Sequence, residues 1–206
     1  EDVMAYEIRG ARRSSAKPLI GFHSESGGGK TYGALMLARS FLGPRGKIVV
    51  IETEEGRGEA YADKTEYPEI GGYDVISMGA AGFSPIEYGK AIDAAEKGGA
   101  DALIIDSASH EWEGRGGVLE MAARNMDAGK KSMQVWLQPK LDHSRHFMLR
   151  FMQTRIPLVI LNMRSKYNME EITKDGKKEW VRSKTLEPKQ SDDILYEMLL
   201  HGWFGR

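Results

Sequence analysis

Short aliphatic runs alternate with longer amphipathic stretches along the 206-residue chain. Five runs rich in β-branched and aliphatic residues predict strands, at 18–23, 47–53, 73–78, Ala102–Asp106 and 158–162. Several are continuous apolar blocks, which is typical of strands covered by helices on both faces. The alternation of strands with helical patterns predicts an α/β fold with a mostly parallel central sheet flanked by helices.

Four stretches between the strands predict helices. The first, 30–41, stops at the Gly-Pro-Arg-Gly turn of 43–46, because proline cannot continue it. The second begins at Ser84, with proline next and Glu87 three residues after the serine, which predicts a capping box. This helix ends at a pair of glycines, 98–99. The two remaining helices are expected within Val118–Asp127 and from about 143 to 153.

The C-terminal part of the chain has a different pattern. Stretches 167–173 and 177–183 flank Lys174-Asp175-Gly176, and Asp-Gly accepts the positive φ angles of a type I′ turn. A β-hairpin is therefore predicted, followed by a last strand or short helix around 194–204. We expect residues 1–16 to be an N-terminal extension and 17–206 to be one domain, with 167–206 as its hairpin and terminal element.

The segment between the first predicted strand and helix carries the clearest chemistry. A phosphate-binding loop (P-loop) needs glycine backbone amides around a phosphate, a lysine that reaches its oxygens and a threonine hydroxyl for Mg²⁺. The N-terminus of the following helix adds partial positive charge. Ser24 stands at the position of the motif's first glycine. The predicted nucleotide-binding residues are Ser26, Gly27, Gly28, Gly29, Lys30, Thr31 and Tyr32. The alternative is a glycine-rich turn with an incidental lysine.

Two predicted strands end in carboxylates. Asp106 closes an apolar strand, so with Thr31 it is the candidate Mg²⁺ ligand. Glu52 and Glu54 stand at the end of another strand, where hydrolysis requires a general base or a group that orients water. The residues alone leave the choice between these glutamates open, and a solvated strand end is the alternative for both.

Cations follow the 158–162 strand. Arg164 and Lys166 lie where a sensor of the γ-phosphate needs positive charge, and surface charge is the competing interpretation. His143 and His146, three residues apart with Asp142 beside them, could bind a metal from one helix face, but ordinary polar helix positions are the preferred interpretation.

Charge is unevenly distributed, although the net charge is only −1. Residues 129–190 contain 14 Lys or Arg and six Asp or Glu, an excess of eight positive charges. This split indicates one basic face for a polyanion such as nucleic acid, or else an ordinary solvated surface. The candidate DNA-binding residues are Lys174, Lys177, Lys178, Trp180 and Arg182, in which an aromatic ring could stack on a base. The other three tryptophans are expected in the core.

Composition excludes several other classes. The chain has no cysteine, so disulfides, Cys-type zinc sites and thiol catalysis are excluded. No apolar run approaches the roughly 18 residues of a membrane span, and the first residues lack the pattern of an export signal. We therefore expect a cytoplasmic protein without a membrane partner.

Three segments, in their order along the chain, resemble the RecA-type recombinase core over about 17–166. They are Ser-Gly-Gly-Gly-Lys-Thr, then Val-Ile-Glu-Thr-Glu-x-Gly-Arg-Gly-Glu-Ala-Tyr-Ala, then Ala-Asp-Ala-Leu-Ile-Ile-Asp-Ser. The likeness is greatest to small phage-encoded RecA-like ATPases, some of which act in recombination or single-strand annealing. Met163 occupies the position where this group usually has a glutamine sensor.

This resemblance implies a RecA-like P-loop ATPase that binds ATP and Mg²⁺ and acts on DNA, mainly single-stranded, as a homo-oligomeric ring or filament. It implies Lys30, Arg164 and Glu54 as catalytic residues and favours Glu54 over Glu52 as the base. It also implies DNA-binding loops at about 110–117 and 167–184, and the host cytoplasm as the location. The alternatives are a non-hydrolysing, nucleotide-dependent DNA-binding module, or an NTPase of the helicase-loader or P-loop kinase type.

Overall fold

A computed structural model describes residues 17–54, 56–174 and 177–204. Its strands are β1 (Leu19–Ser24), β2 (Ile48–Glu52), β3 (Asp74–Ser77), β4 (Ala102–Asp106), β5 (Leu158–Lys174), β6 (Lys177–Pro188) and β7 (Leu200–Trp203). Its α-helices are α1 (Lys30–Leu42), α2 (Pro85–Lys97), α3 (Ser109–Glu113), α4 (Val118–Asp127), α5 (Met133–Asp142) and α6 (Leu149–Gln153). The predicted extension 1–16 and the Asp-Gly pair of the turn lie outside the described residues.

The strands form a sheet in the order β3-β2-β4-β5-β1-β7, and every neighbouring pair in that order is parallel. β6 pairs with β5 in the antiparallel direction. The predicted α/β class, with a mostly parallel sheet flanked by helices, is confirmed. Because β4 and β5 both lie between β2 and β1 in the sheet, the chain must cross two strands to pass from β1 to β2. Such a change in strand order opens a crevice beyond the carboxyl ends of the strands.

Alternate strand residues build two hydrophobic layers. In β2, Ile48 and Val50 pack with α1 on one face, while Val49 and Ile51 pack with α2 and α6 on the other. All four side chains are buried, which explains why this strand has no polar face. The sheet is therefore held between helices, and its exposed edge at the strand ends is left for polar groups.

The helix signals near α2 are confirmed in part. The Ser84 hydroxyl accepts a hydrogen bond from the Glu87 amide at 3.3 Å, as predicted for an N-cap. The glutamate side chain instead pairs with Lys90 at 2.7 Å, so the reciprocal half of the capping box is not described. The predicted ends of α1 agree with the structure within one residue.

The strand predicted at 158–162 and the hairpin arm predicted at 167–173 are one strand of 17 residues, β5. Pairing with β1 continues to Arg164, and pairing with β6 begins at Ser165. The backbone thus changes partner without interruption, although no apolar run marks positions 163–166. The predicted hairpin is confirmed, with longer arms.

Helix α5 was not predicted. Pro139 lies inside it, and its buried residues are only Val135, Pro139 and Asp142, so the sequence shows no clear apolar face. A π-helical turn, His143–Met148, joins α5 directly to α6, so the helix predicted at 143–153 is the second half of a longer one. The C-terminal segment contains both elements that the sequence left open, a 3-10 turn at Asp192–Glu197 and strand β7. Within the described ranges, none of the helices has the length and apolar character needed to cross a membrane.

Candidate functional site

A cleft of about 670 Å³ lies where β1, β2, β4 and the middle of β5 approach the same edge of the sheet. Its walls come from the loop after β1, the end of β2, the end of β4 and the segment of β5 around Arg164. Most residues predicted for nucleotide binding and hydrolysis line it: Ser26, Gly27, Gly28, Gly29, Lys30, Thr31, Glu54, Asp106 and Arg164.

Tyr32, which was also predicted to bind nucleotide, does not line this cleft. Its hydroxyl donates a hydrogen bond to Glu69 at 2.9 Å, and its ring lies 5.6 Å from that of Tyr61 and 6.3 Å from that of Tyr67. Tyr61 lines the cleft instead. The aromatic ring available to a ligand thus comes from the segment after β2.

The loop between β1 and α1 has a backbone that requires glycine. Gly27 and Gly29 have φ angles of 77° and 86°, in the left-handed region that favours glycine. Gly28 is required for a different reason. A Cβ at this position would collide with the Ser24 side chain. Gly29 is also the N-cap of α1, and among the described residues no side chain caps that helix. The first amides of α1 are thus available to an anion.

The Lys30 ammonium is held by its own loop. It donates to the Ser24 carbonyl at 3.1 Å, to the Ser24 hydroxyl at 2.9 Å and to the Glu25 carbonyl at 3.0 Å. Partial burial lowers the pKa of Lys30, while Asp106 and Glu54 act in the opposite direction. All three acceptors are uncharged, so no carboxylate of the loop neutralises the ammonium through these hydrogen bonds.

Asp106 joins the start of α1 to β5. The Thr31 hydroxyl donates to Asp106 Oδ2 at 2.5 Å, and Asn162 Nδ2 donates to the same oxygen at 3.0 Å. A hydroxyl beside a carboxylate suits Mg²⁺, which uses few protein ligands and completes its shell with water and phosphate oxygens. Within the described residues no three His, Cys, Asp or Glu side chains gather as a metal site. Thr31 and Asp106 are the residues of this cleft that could hold Mg²⁺.

Glu54 lies between two guanidinium groups. Arg164 donates to its carboxylate through Nε, at 3.1 Å, and through Nη2, while Arg57 donates to the other oxygen. Partial burial alone would raise the pKa of Glu54, but these two arginines outweigh it and the pKa is lowered. The carboxylate therefore stays ionised and is engaged by both cations.

Glu52 has a different environment, although both glutamates line the cleft. It is buried, with its carboxylate 3.2 Å from the Ser77 hydroxyl and 3.5 Å from the Gly58 amide. Neutral donors of β3 and of the turn after β2 thus hold this carboxylate. The contact with Gly58 is close, since a Cβ there would meet the Glu52 side chain at 2.5 Å.

Sequence reasoning did not assign Arg57, Tyr61, Asn162 and Lys189, which line the cleft or contact its acids. Arg57 and Tyr61 belong to the segment after β2 that resembles the RecA-type core, but the resemblance assigned neither residue a role. Asn162 had a weaker signal, its place at the end of an apolar run opposite Asp106 in the register. Lys189 had none, because it reaches the cleft only through the return of β6.

The hairpin presents Lys178, Trp180 and Arg182 on one face, because alternate residues of a strand share a face. Trp180 is 66% exposed, and the Arg182 guanidinium lies 3.6 Å from the centre of the Tyr167 ring. Lys178 pairs with Glu171 at 3.0 Å. The other two predicted DNA-binding residues, Lys174 and Lys177, end the two arms of the hairpin beside the turn.

Three expectations about DNA binding and the tryptophans need correction. Residues 167–188 contain five cations and five acids, so the positive excess of 129–190 lies mainly before the hairpin. The prediction that the other tryptophans lie in the core was wrong for Trp203, which is 58% exposed on β7, and for Trp136, which is 36% exposed. The segment 110–117, predicted as a loop, begins within helix α3.

Comparison of the chain with known protein families and with curated proteins finds no match. The functional argument therefore depends on the geometry of the cleft and on the chemistry of its residues.

Proposed function

We propose that this protein binds Mg·ATP in the cleft, hydrolyses it, and couples the nucleotide to single-stranded DNA at the hairpin, as a RecA-like P-loop ATPase of the recombination or annealing type. One observation carries the proposal. Lys30, Asp106, Glu54 and Arg164 come from four separate segments and line a single cleft at the carboxyl ends of parallel strands. If the glycine-rich turn were incidental, nothing would explain why Asp106, Glu54 and Arg164 lie beside it in the same cleft.

The charges of this cleft support the proposal of nucleotide binding. The amides at the start of α1 and the Lys30 ammonium can receive the β- and γ-phosphates, since neither is neutralised by a carboxylate within the loop. The Tyr61 ring, at the same cleft, offers a surface for a nucleobase. Thr31 and Asp106 are the residues that would hold Mg²⁺, which would screen the negative charge that develops on the phosphates.

Hydrolysis requires a group that positions the attacking water. Glu54 is the candidate, because it is ionised and lies beside Arg164 at the cleft. A γ-phosphate would compete with Glu54 for the guanidinium groups of Arg164 and Arg57, and each hydrogen bond it gains releases one from the carboxylate. The freed carboxylate can accept a hydrogen bond from water, and its low pKa suits orientation of water more than storage of a proton.

Strand β5 connects the cleft to the hairpin. It carries Asn162 and Arg164 at the cleft and continues as one strand to Lys174, although its register with β6 shifts between Tyr167 and Met169. The return strand is also tied to it, since the Lys189 amide donates to the Arg164 carbonyl at 2.7 Å. A shift of Arg164 between Glu54 and a phosphate would thus act on the base of the hairpin, whose outer part carries the residues proposed to bind DNA.

A second candidate is a module that binds nucleotide and DNA without hydrolysis. The two arginines at Glu54 favour it, because a carboxylate engaged by both is a weak partner for water. Under this alternative the same contacts switch conformation when nucleotide binds, and no phosphate is released.

The test is release of inorganic phosphate from Mg·ATP, measured with and without a single-stranded oligonucleotide. We expect turnover that depends on Mg²⁺ and increases with the oligonucleotide. Binding of a fluorescent ATP analogue without phosphate release would select the non-hydrolysing module. No nucleotide binding at millimolar concentration in a folded protein would reject both candidates.

A further inference from the structure

A second cavity, of about 830 Å³, lies between α3, α5 and the segment that follows β6. It has no lining residue in common with the nucleotide cleft. Aromatic and aliphatic side chains provide much of its wall, and Ser191 and His143 also line it. The apolar lining residues are Trp112, Trp136, Met148, Leu149 and Met152.

At this cavity a serine, a histidine and a glutamate form a continuous chain of hydrogen bonds. Ser191 Oγ lies 3.0 Å from His143 Nε2. His143 Nδ1 lies 3.0 Å and 3.1 Å from the two carboxylate oxygens of Glu111. Glu111 is fully buried and His143 nearly so, while Ser191 is partly accessible from the cavity.

The order of these bonds determines what each group can do. Burial raises the pKa of Glu111, while the hydrogen bonds with His143 and Gln190 act in the opposite direction. In its ionised form, the Glu111 carboxylate at Nδ1 favours the imidazole tautomer with its proton on that nitrogen, so Nε2 is left to accept the serine proton. Gln190 Nε2 donates to Glu111 Oε2 at 3.1 Å, which holds the carboxylate in place. A nucleophile bonded to a base, with the base oriented by a third group, is the arrangement that activates serine hydroxyls in unrelated folds.

We propose that Ser191, His143 and Glu111 form a second catalytic site, a serine hydrolase centre for neutral carboxylic esters with an apolar acyl group. The apolar wall of the cavity would hold the acyl group. Acidic side chains on the same wall, Asp192, Asp193 and Glu197, repel anionic substrates. Lys140 and Lys166 are the cations of this wall that can stabilise the oxyanion.

The reaction needs only the ester and water. Ser191 Oγ bonds to the carbonyl carbon as its proton passes to His143 Nε2, and the bond to the alkoxy oxygen then breaks as His143 returns that proton to the leaving alcohol. Water next gives a proton to His143 and attacks the acyl-serine. The carboxylic acid leaves and the Ser191 hydroxyl is restored, so no oxidant or reductant is required.

The first experiment treats the intact protein with an alkyl fluorophosphonate, which reacts with activated serines, and maps the labelled residue by mass spectrometry. We expect labelling at Ser191. His143→Gln should slow it at least ~10²-fold, because the general base is lost. Ser144→Ala is the matched control, since Ser144 lines the same cavity outside the hydrogen-bonded chain, and it should label like the wild type.

Hydrolysis of p-nitrophenyl butyrate provides the second measurement. We expect turnover that is lost in Ser191→Ala and retained in Ser144→Ala, because Ser144 lines the same cavity outside the hydrogen-bonded chain. A folded wild-type protein that is not labelled at Ser191, or one labelled equally fast in the folded His143→Gln variant, would overturn the proposal. In that case the three residues only join α3 to the segment after β6.

Discussion

The cleft at the carboxyl ends of the strands and the exposed face of the hairpin are built in different ways. In the cleft, Asp106 accepts hydrogen bonds from Thr31 and Asn162, and Glu54 accepts them from Arg164 and from nearby Arg57, so distant parts of the chain help to set both positions. On the hairpin face, Lys178 has one exposed pair with Glu171, and Trp180 projects into solvent. A single substitution in the cleft should therefore displace several side chains that share hydrogen bonds. A single substitution on the hairpin should remove only a small, independent contribution to DNA binding.

The largest expected effect is that of Lys30→Ala. The ammonium is a charged group of the cleft wall with three hydrogen bonds inside its own loop, and it contributes little to the core. We expect ATP turnover or nucleotide affinity to fall by ~10² or more, with an unchanged unfolding midpoint. Lys90→Ala on α2 is the control. Turnover at the wild-type rate in Lys30→Ala would remove the phosphate site from this loop.

Replacing each of the two glutamates by glutamine tests which of them orients the attacking water. Glu54→Gln should retain ATP binding and lose roughly 10² in turnover, because an amide cannot replace an ionised carboxylate beside water. Glu52→Gln can keep its bonds to Ser77 and Gly58 and should lose less. Steady-state kinetics give kcat and KM separately for both variants. The opposite ranking would move the water-orienting role to Glu52.

On the hairpin, Trp180→Ala should weaken binding of single-stranded DNA by ~1–3 kcal/mol, because a stacked base is lost. Its matched control is Trp203→Ala, which removes a similarly exposed indole from β7. Fluorescence anisotropy with a labelled oligonucleotide measures both. Equal losses in the two variants would mean that Trp180 has no special role.

The pH dependence of the unfolding free energy tests the burial of His23, beside the cleft. Burial, His201 and Lys30 lower the pKa of His23, on β1 beside the glycine loop, to about 4. The unfolded histidine titrates near 6.5, so stability is fully present above that pH and is lost as the pH falls from 6.5 towards 4.

Between pH 7 and pH 5 this loss should amount to roughly 1–2 kcal/mol of unfolding free energy for His23. Urea unfolding at both pH values measures it, and His23→Gln should reduce the difference. His146→Gln is the control from the π-helical turn. If both substitutions reduce it equally, the burial of His23 is not its cause.

The smallest effect is expected for paired lysines on the hairpin. Replacing Lys177 and Lys178 by alanine should flatten the dependence of log affinity on log salt by about 1.4, since each contact with single-stranded DNA contributes ~0.7. Lys90 and Lys97 of α2, replaced together, provide the control. An unchanged slope in the Lys177/Lys178 variant would place the DNA contacts elsewhere on the basic segment before the hairpin.

Features encoded over a few residues were predictable. The apolar runs of β2 and β4, the glycine requirement of the loop before Lys30 and the cap at Ser84 each depend on local backbone geometry or burial. Helix α5 was missed because Pro139 disfavours a helix interior locally, while packing of Val135 and Asp142 stabilises it.

The sequence by itself determined where Lys30 and Thr31 stand relative to a strand and a helix, because the whole unit is local. Only the tertiary structure decided that Arg164 meets Glu54, 110 positions away, and that Ser191 meets His143. Those contacts follow from the position of β5 between β1 and β4 and from the return path of β6. The same pattern of apolar runs is compatible with several strand orders, and the choice among them depends on the packing of the whole core.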